Sequence, residues 1–283
     1  VLTGVHVLPG ASYANVDAAS DGVVKTALYA TIGEQWKANH PDGVWIHRGM
    51  LVGPDMRDYP TIYEWYNPQI YARASEQSWT RGADYNEFMN ESGAPDWDTF
   101  VSFTIGVLEW GGDRGYCLLW GSFAAGNPDY PAWADLVRII EWADEHPCGT
   151  DANGNPRYHN LALHQPLYMP PDIARGAWVL EQHIVDRHRL VDELVRGYTG
   201  RGLADHPSGG VWFTEYGLHD GYSGSWSDSF SCEEIARSFA YSAERLNETA
   251  PFVRGFGYWT FGDAQSIWTD DQACSGEIER AVG

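Results

Sequence analysis

Basic side chains are scarce in this chain: 18 Lys and Arg stand against 39 Asp and Glu, a formal net charge of −21 over 283 residues. Nucleic acid or an anionic membrane would be repelled by that charge, so neither is expected as a partner. No run of about 18 apolar residues occurs, so no segment reads as a membrane-spanning helix. Cysteines number only four, Cys117, Cys148, Cys232 and Cys274. None forms a Cys-x-x-Cys pair, which argues against a zinc knuckle or a redox motif. Cys117 lies in an apolar, strand-like run and is expected as a buried thiol. One disulfide among the other three is open. There is no low-complexity tract, internal repeat or linker. No leader segment precedes the first strand, which makes a processed or trimmed chain the expectation. Location is left open, with an extracellular setting kept in view, and nothing in the residues speaks to oligomeric state.

Aromatic residues, by contrast, are plentiful, with 14 Trp and 16 Tyr. Their flat faces can stack on the apolar face of a sugar ring, but they also fill cores.

Along the chain, strand-like and helix-like segments alternate, the pattern of a parallel sheet with helices outside. Strands are expected at Gly4–Leu8, Val23–Tyr29, Val44–His47, Asp84–Asn90, Tyr116–Gly121, Leu161–His164, Val211–Thr214 and Gly255–Phe261. Helices are expected at Ile32–Asn39, Tyr63–Glu76, Trp97–Trp110, Pro131–Glu145, Ile173–Gly197 and Cys232–Glu248. Ser231 precedes the last of these with Glu234 three places on, a capping-box spacing. Ala11–Asp21 reads as a loop or a short helix. Eight strands close a barrel, so residues 1–283 are expected to form a single α/β domain, a (β/α)8 TIM barrel.

Two phrases carry the chemistry. Tyr85-Asn86-Glu87-Phe88-Met89-Asn90-Glu91 closes the fourth strand, and Val211-Trp212-Phe213-Thr214-Glu215-Tyr216-Gly217 the seventh. Acids at the C-terminal ends of barrel strands sit where such barrels build active sites. Two acids across one glycosidic bond are what its cleavage requires. Side chains along a strand alternate, so Glu87 points the same way as Glu91 but one layer deeper, where it needs a cation or hydrogen-bond donors. Glu215 ends an apolar run, where an acid is costly unless paired or functional. Taken without function, it would be one half of a buried ion pair, with Arg48 as a candidate partner.

These phrases resemble the retaining (β/α)8 glycoside hydrolases of the large clan that includes family 5 cellulases and mannanases, and β-galactosidases. The resemblance implies Glu91 as acid/base, Glu215 as nucleophile and Asn90 as a hydrogen-bonding partner of the sugar 2-hydroxyl. Leu161-Ala162-Leu163-His164 resembles the sixth strand of that clan, which implies His164 and Tyr168 as supports of the nucleophile. Gly257-Tyr258-Trp259-Thr260-Phe261 resembles the eighth, which implies Trp259 as a sugar platform. Arg48 and His47 are further candidates near the substrate, and Trp226 and Trp268 are expected on cleft-lining loops. One departure is Ser92, where the clan usually has proline after Asn-Glu. Asn90-Glu91-Ser92 and Asn247-Glu248-Thr249 also match glycosylation sequons. The substrate implied is an oligosaccharide or polysaccharide, cleaved without a cofactor or metal.

Two readings compete with this one. A carbohydrate-binding barrel without catalysis would share the fold and the aromatic residues. A metal-dependent barrel hydrolase would carry His-x-His on its first strand, but His6 is followed there by Val7 and Leu8, and no His-Glu-x-x-His helix occurs.

Overall fold

The computed structural model describes residues 1–8, 10–27, 30–49, 67–89, 96–123, 128–168, 186–219, 231–261 and 274–282. Apolar and β-branched runs form eight strands: β1 Leu2–Val7, β2 Gly22–Ala27, β3 Val44–Arg48, β4 Tyr85–Glu87, β5 Leu118–Phe123, β6 Asn160–Tyr168, β7 Val211–His219 and β8 Val253–Phe261. They hydrogen-bond in the closed order β1-β8-β7-β6-β5-β4-β3-β2, the (β/α)8 barrel expected from the alternating segments.

Eight α-helices are described: α1 Tyr13–Ala18, α2 Ala30–Asn39, α3 Pro68–Ser75, α4 Trp97–Gly112, α5 Trp133–Glu145, α6 Asp186–Thr199, α7 Cys232–Thr249 and α8 Ser275–Val282. Ala11–Asp21 therefore holds a short helix, with Val16 its one buried residue. Among the described residues no helix is long and apolar enough to cross a membrane. The capping box forms at α7, where Ser231 Oγ accepts from Glu234 N–H at 3.3 Å and the Glu234 carboxylate accepts from Ser231 N–H at 2.9 Å.

Strands β6, β7 and β8 each run nine residues. The first two continue past the ends expected at His164 and Thr214. Polar side chains break the apolar pattern there, but the backbone ladder does not depend on them and goes on.

By packing, the chain falls into two groups of segments, Val1–Ile46 with Gln165–Leu190 and Phe213–Gly283, and His47–His164 with Val191–Trp212. In the first, Trp45 donates its indole N–H to Thr26 Oγ1 at 2.9 Å. Gly33 of α2 makes room for that indole, because a Cβ there would lie 2.1 Å from the ring. In the second, Phe123 packs among Trp97, Phe100 and Trp133, which seats β5 on α4 and α5. Asn160 Oδ1 accepts from Tyr85 O–H at 3.1 Å and Trp212 Nε1–H at 3.2 Å, tying three strands at one level.

Cys117 corrects the sequence reading, and the one disulfide left open among the other three cysteines is present. Cys117 is not a thiol but is bonded to Cys148, and Cys232 is bonded to Cys274. The chain returning from α5 places Cys148, just ahead of a two-residue antiparallel ladder of Gly149–Thr150 with Pro156–Arg157, beside Cys117 at the start of β5. Spacing along the chain carried no signal of that return.

Candidate active site

Glu215 lies in β7 and keeps 12% of its side chain exposed, while Lys25, in the middle of β2, is fully buried with its Nζ 3.7 Å from Glu215 Oε1. The two strands bring an ammonium and a carboxylate together in a setting that water hardly reaches, and a nearby cation favours the ionised carboxylate. His6, itself buried, is the register partner of Lys25 across β1 and β2, and Trp259 is that of His6 across β1 and β8. Gly257 of β8 lies beside the lysine, where a Cβ would make ordinary contact with Lys25 Cβ at 3.5 Å.

A second cluster surrounds Glu87, the last residue of β4. Ser122 Oγ donates to Glu87 Oε1 at 2.6 Å. His164 Nε2 is 3.4 Å from the same oxygen, and both side chains of that pair are fully buried. The donors that alternation demanded for a carboxylate at this depth are thus present. One residue further on, Tyr71 O–H donates to the Phe88 carbonyl at 2.7 Å. Burial pushes the Tyr71 hydroxyl up to about 12, so it stays protonated and able to donate. Before the strand, Asn86 clamps Thr80 twice, accepting from its N–H at 2.9 Å and donating to its carbonyl at 3.1 Å.

Of the residues singled out in the sequence, Glu215 and His164 therefore stand in polar clusters, each with a named partner. His47 is buried and hydrogen-bonded to the backbone of Ser78, and burial lowers it to about 4, so it is neutral near pH 7. Arg48 closes β3. Tyr168 and Trp259 lie within β6 and β8 by their backbones, and their side chains lie outside the described residues. Asn90, Glu91, Trp226 and Trp268 also lie outside the described residues. Lys25 and Ser122 were missed. A lone lysine within Val23-Val24-Lys25-Thr26-Ala27 was a readable signal, since a charge inside an apolar strand needs a partner. Among the described residues no three His, Cys, Asp or Glu side chains converge as metal ligands.

No family model matches the sequence, and no curated protein does. Solved structures do. XacCel5A is 11% identical with a TM-score of 0.54, and 98% of each chain is covered. The endo-β-1,4-glucanase Xac0029 from Xanthomonas axonopodis pv. citri is 13% identical with a TM-score of 0.52, over 100% of this chain and 99% of that one. AbfB, a family 51 α-L-arabinofuranosidase from Bifidobacterium longum, is 9% identical with a TM-score of 0.55, over 99% of this chain and 72% of that one. What these chains share is the barrel. Enzymes with different sugars and anomers stand at equal distance, so the fold alone assigns neither.

Proposed function

We propose that this chain is a retaining glycoside hydrolase acting on a β-linked oligosaccharide or polysaccharide, its whole length one catalytic barrel, with Glu215 as nucleophile and Glu91 as acid/base. The observation that carries the reading is the Lys25–Glu215 pair. Glu215 is partly open, yet it faces a lysine that is fully buried. A purely structural pair would be expected to bury both partners, whereas a nucleophile must stay ionised and still be reachable. The same barrel in the glucanases and the arabinofuranosidase supports the class of reaction.

In this mechanism ionised Glu215 attacks the anomeric carbon and forms a covalent glycosyl-enzyme. Protonated Glu91 gives its proton to the leaving oxygen, then takes one from the water that releases the sugar. Lys25 holds Glu215 charged until the ester forms. Retention requires the two carboxyl groups to stand roughly 5–5.5 Å apart. Asn90, His164, Tyr168 and Trp259 would hold sugar and acids in place, with Arg48, His47, Trp226 and Trp268 as outer contacts. The two disulfides suit an oxidising compartment and favour an extracellular setting.

Glu215→Ala and Glu91→Ala test the assignment on aryl β-glycosides. Each should lose orders of magnitude in rate, and azide should restore turnover with retained configuration only in the Glu91 variant. Full activity in either variant would end it.

A further inference from the structure

Ser122 has a backbone φ of +44°, which makes it the one non-glycine residue with positive φ among the described residues. That conformation crowds Cβ against the backbone, and it persists only where the surroundings over-determine it. The neighbouring Gly121 has φ +92°, and a Cβ there would stand 2.9 Å from both Leu161 and Phe123.

The cause is a bulge. The pairing of β5 with β6 runs Trp120↔Leu161 and Gly121↔Ala162, then slips to Phe123↔Leu163. Ser122 is the extra residue, in a parallel sheet, where bulges are rare. Leu118 lies on the helix side of β5, against Gly111 of α4. Strict alternation from Leu118 would turn Ser122 to the helices and Phe123 inward. The inserted residue exchanges them. Phe123 joins the aromatic cluster, and the Ser122 hydroxyl reaches Glu87 Oε1 at 2.6 Å.

We propose that Ser122 is a positioning residue for the acid/base end of β4, acting through Glu87; this rests on the glycosidase reading above. Glu87 closes β4, and Asn90 and Glu91 follow within four residues of sequence. Two successive residues are pinned there, Glu87 by Ser122 and His164 through its side chain, and Phe88 by Tyr71 through its carbonyl. Together they fix the direction in which the chain leaves the strand. The rival account is that the bulge exists only to seat Phe123, with the hydroxyl incidental.

Two substitutions separate these accounts. Ser122→Gly removes the hydroxyl and relaxes the positive φ. Ser122→Ala removes the hydroxyl and keeps the strain. Both enzymes are assayed for kcat/KM on a natural-type glycoside with a poor leaving group and on a dinitrophenyl glycoside, whose departure needs no proton. If Ser122 positions the proton donor, both variants lose about tenfold or more on the poor leaving group and stay within about threefold on the dinitrophenyl glycoside. The glycine variant should also melt above the alanine variant while being no more active. A glycine variant with wild-type activity on both substrates would overturn the proposal, as would equal losses on both. Should the wild-type enzyme cleave neither substrate, the glycosidase reading itself falls, and this inference with it.

Discussion

Lys25 Nζ lies 3.7 Å from Glu215 Oε1, a fully buried cation against a carboxylate that water still touches. Breaking a buried pair by removing one partner costs about 3–5 kcal/mol. The partial exposure of Glu215 places Lys25→Met toward the lower end of that range and Glu215→Gln toward the upper. The double variant Lys25→Met/Glu215→Gln should be more stable than the Glu215→Gln variant alone. Urea unfolding of the four proteins measures the coupling, and strict additivity would show that the pair does not interact. Lys25→Met should also lower kcat/KM, since the nucleophile loses a buried cation that favours its ionised form.

Acid should destabilise the protein through two histidines. Burial holds His47 at about 4 and His159 at about 3, below the ordinary value of 6.5. Leu118 N–H donates to His159 Nδ1 at 3.0 Å, which needs the unprotonated nitrogen. Below about pH 6.5 the unfolded chain binds protons that the folded one refuses, so stability is complete above that pH and falls as pH drops through it. The loss levels off only once the folded histidines themselves titrate, near 4 and 3. At about 1.4 kcal/mol per pH unit, each histidine contributes roughly 3 kcal/mol of loss by pH 4.5. Urea midpoints from pH 7 to 4.5 should show a shallower fall for His159→Gln than for the wild type. Parallel curves would remove His159 from the account.

The disulfides bridge residues 31 and 42 apart in sequence. Loop-closure entropy makes each worth about 4 kcal/mol at most. Cys117→Ala/Cys148→Ala and Cys232→Ala/Cys274→Ala should each lower the melting temperature by up to about 7 °C. A change within about 1 °C would mean the unfolded chain gains little freedom from the cut.

Much of this architecture was legible because barrel strands and helices differ in period. All eight strands appear where apolar runs were counted, and Glu87 was expected to need donors from alternation alone. Ser122 was not legible as one of those donors, because it lies beyond the expected end of β5 at Gly121 and a one-residue insertion reverses the faces of the strand there. Local sequence does not encode such a slip; packing of Phe123 against α4 and α5 and the contact with Glu87 together hold it. The cysteine pairings were hidden for a related reason, since chain distance says nothing of which loops return to the same strand. Lys25 could have been found. Its charge within an apolar run made the same demand as Glu215, and the two answer each other.

The most direct test is covalent trapping. In a dinitrophenyl 2-deoxy-2-fluoro-β-glycoside of a sugar the enzyme cleaves, the fluorine slows both steps while the good leaving group restores the rate of the first, so the glycosyl-enzyme accumulates. Intact-protein and peptide mass spectrometry should then show one sugar added, carried by the peptide that contains Glu215 and absent in Glu215→Gln. Turnover of the natural substrate with inverted configuration and no adduct, or an adduct on any other residue, would contradict the assignment of Glu215 as nucleophile.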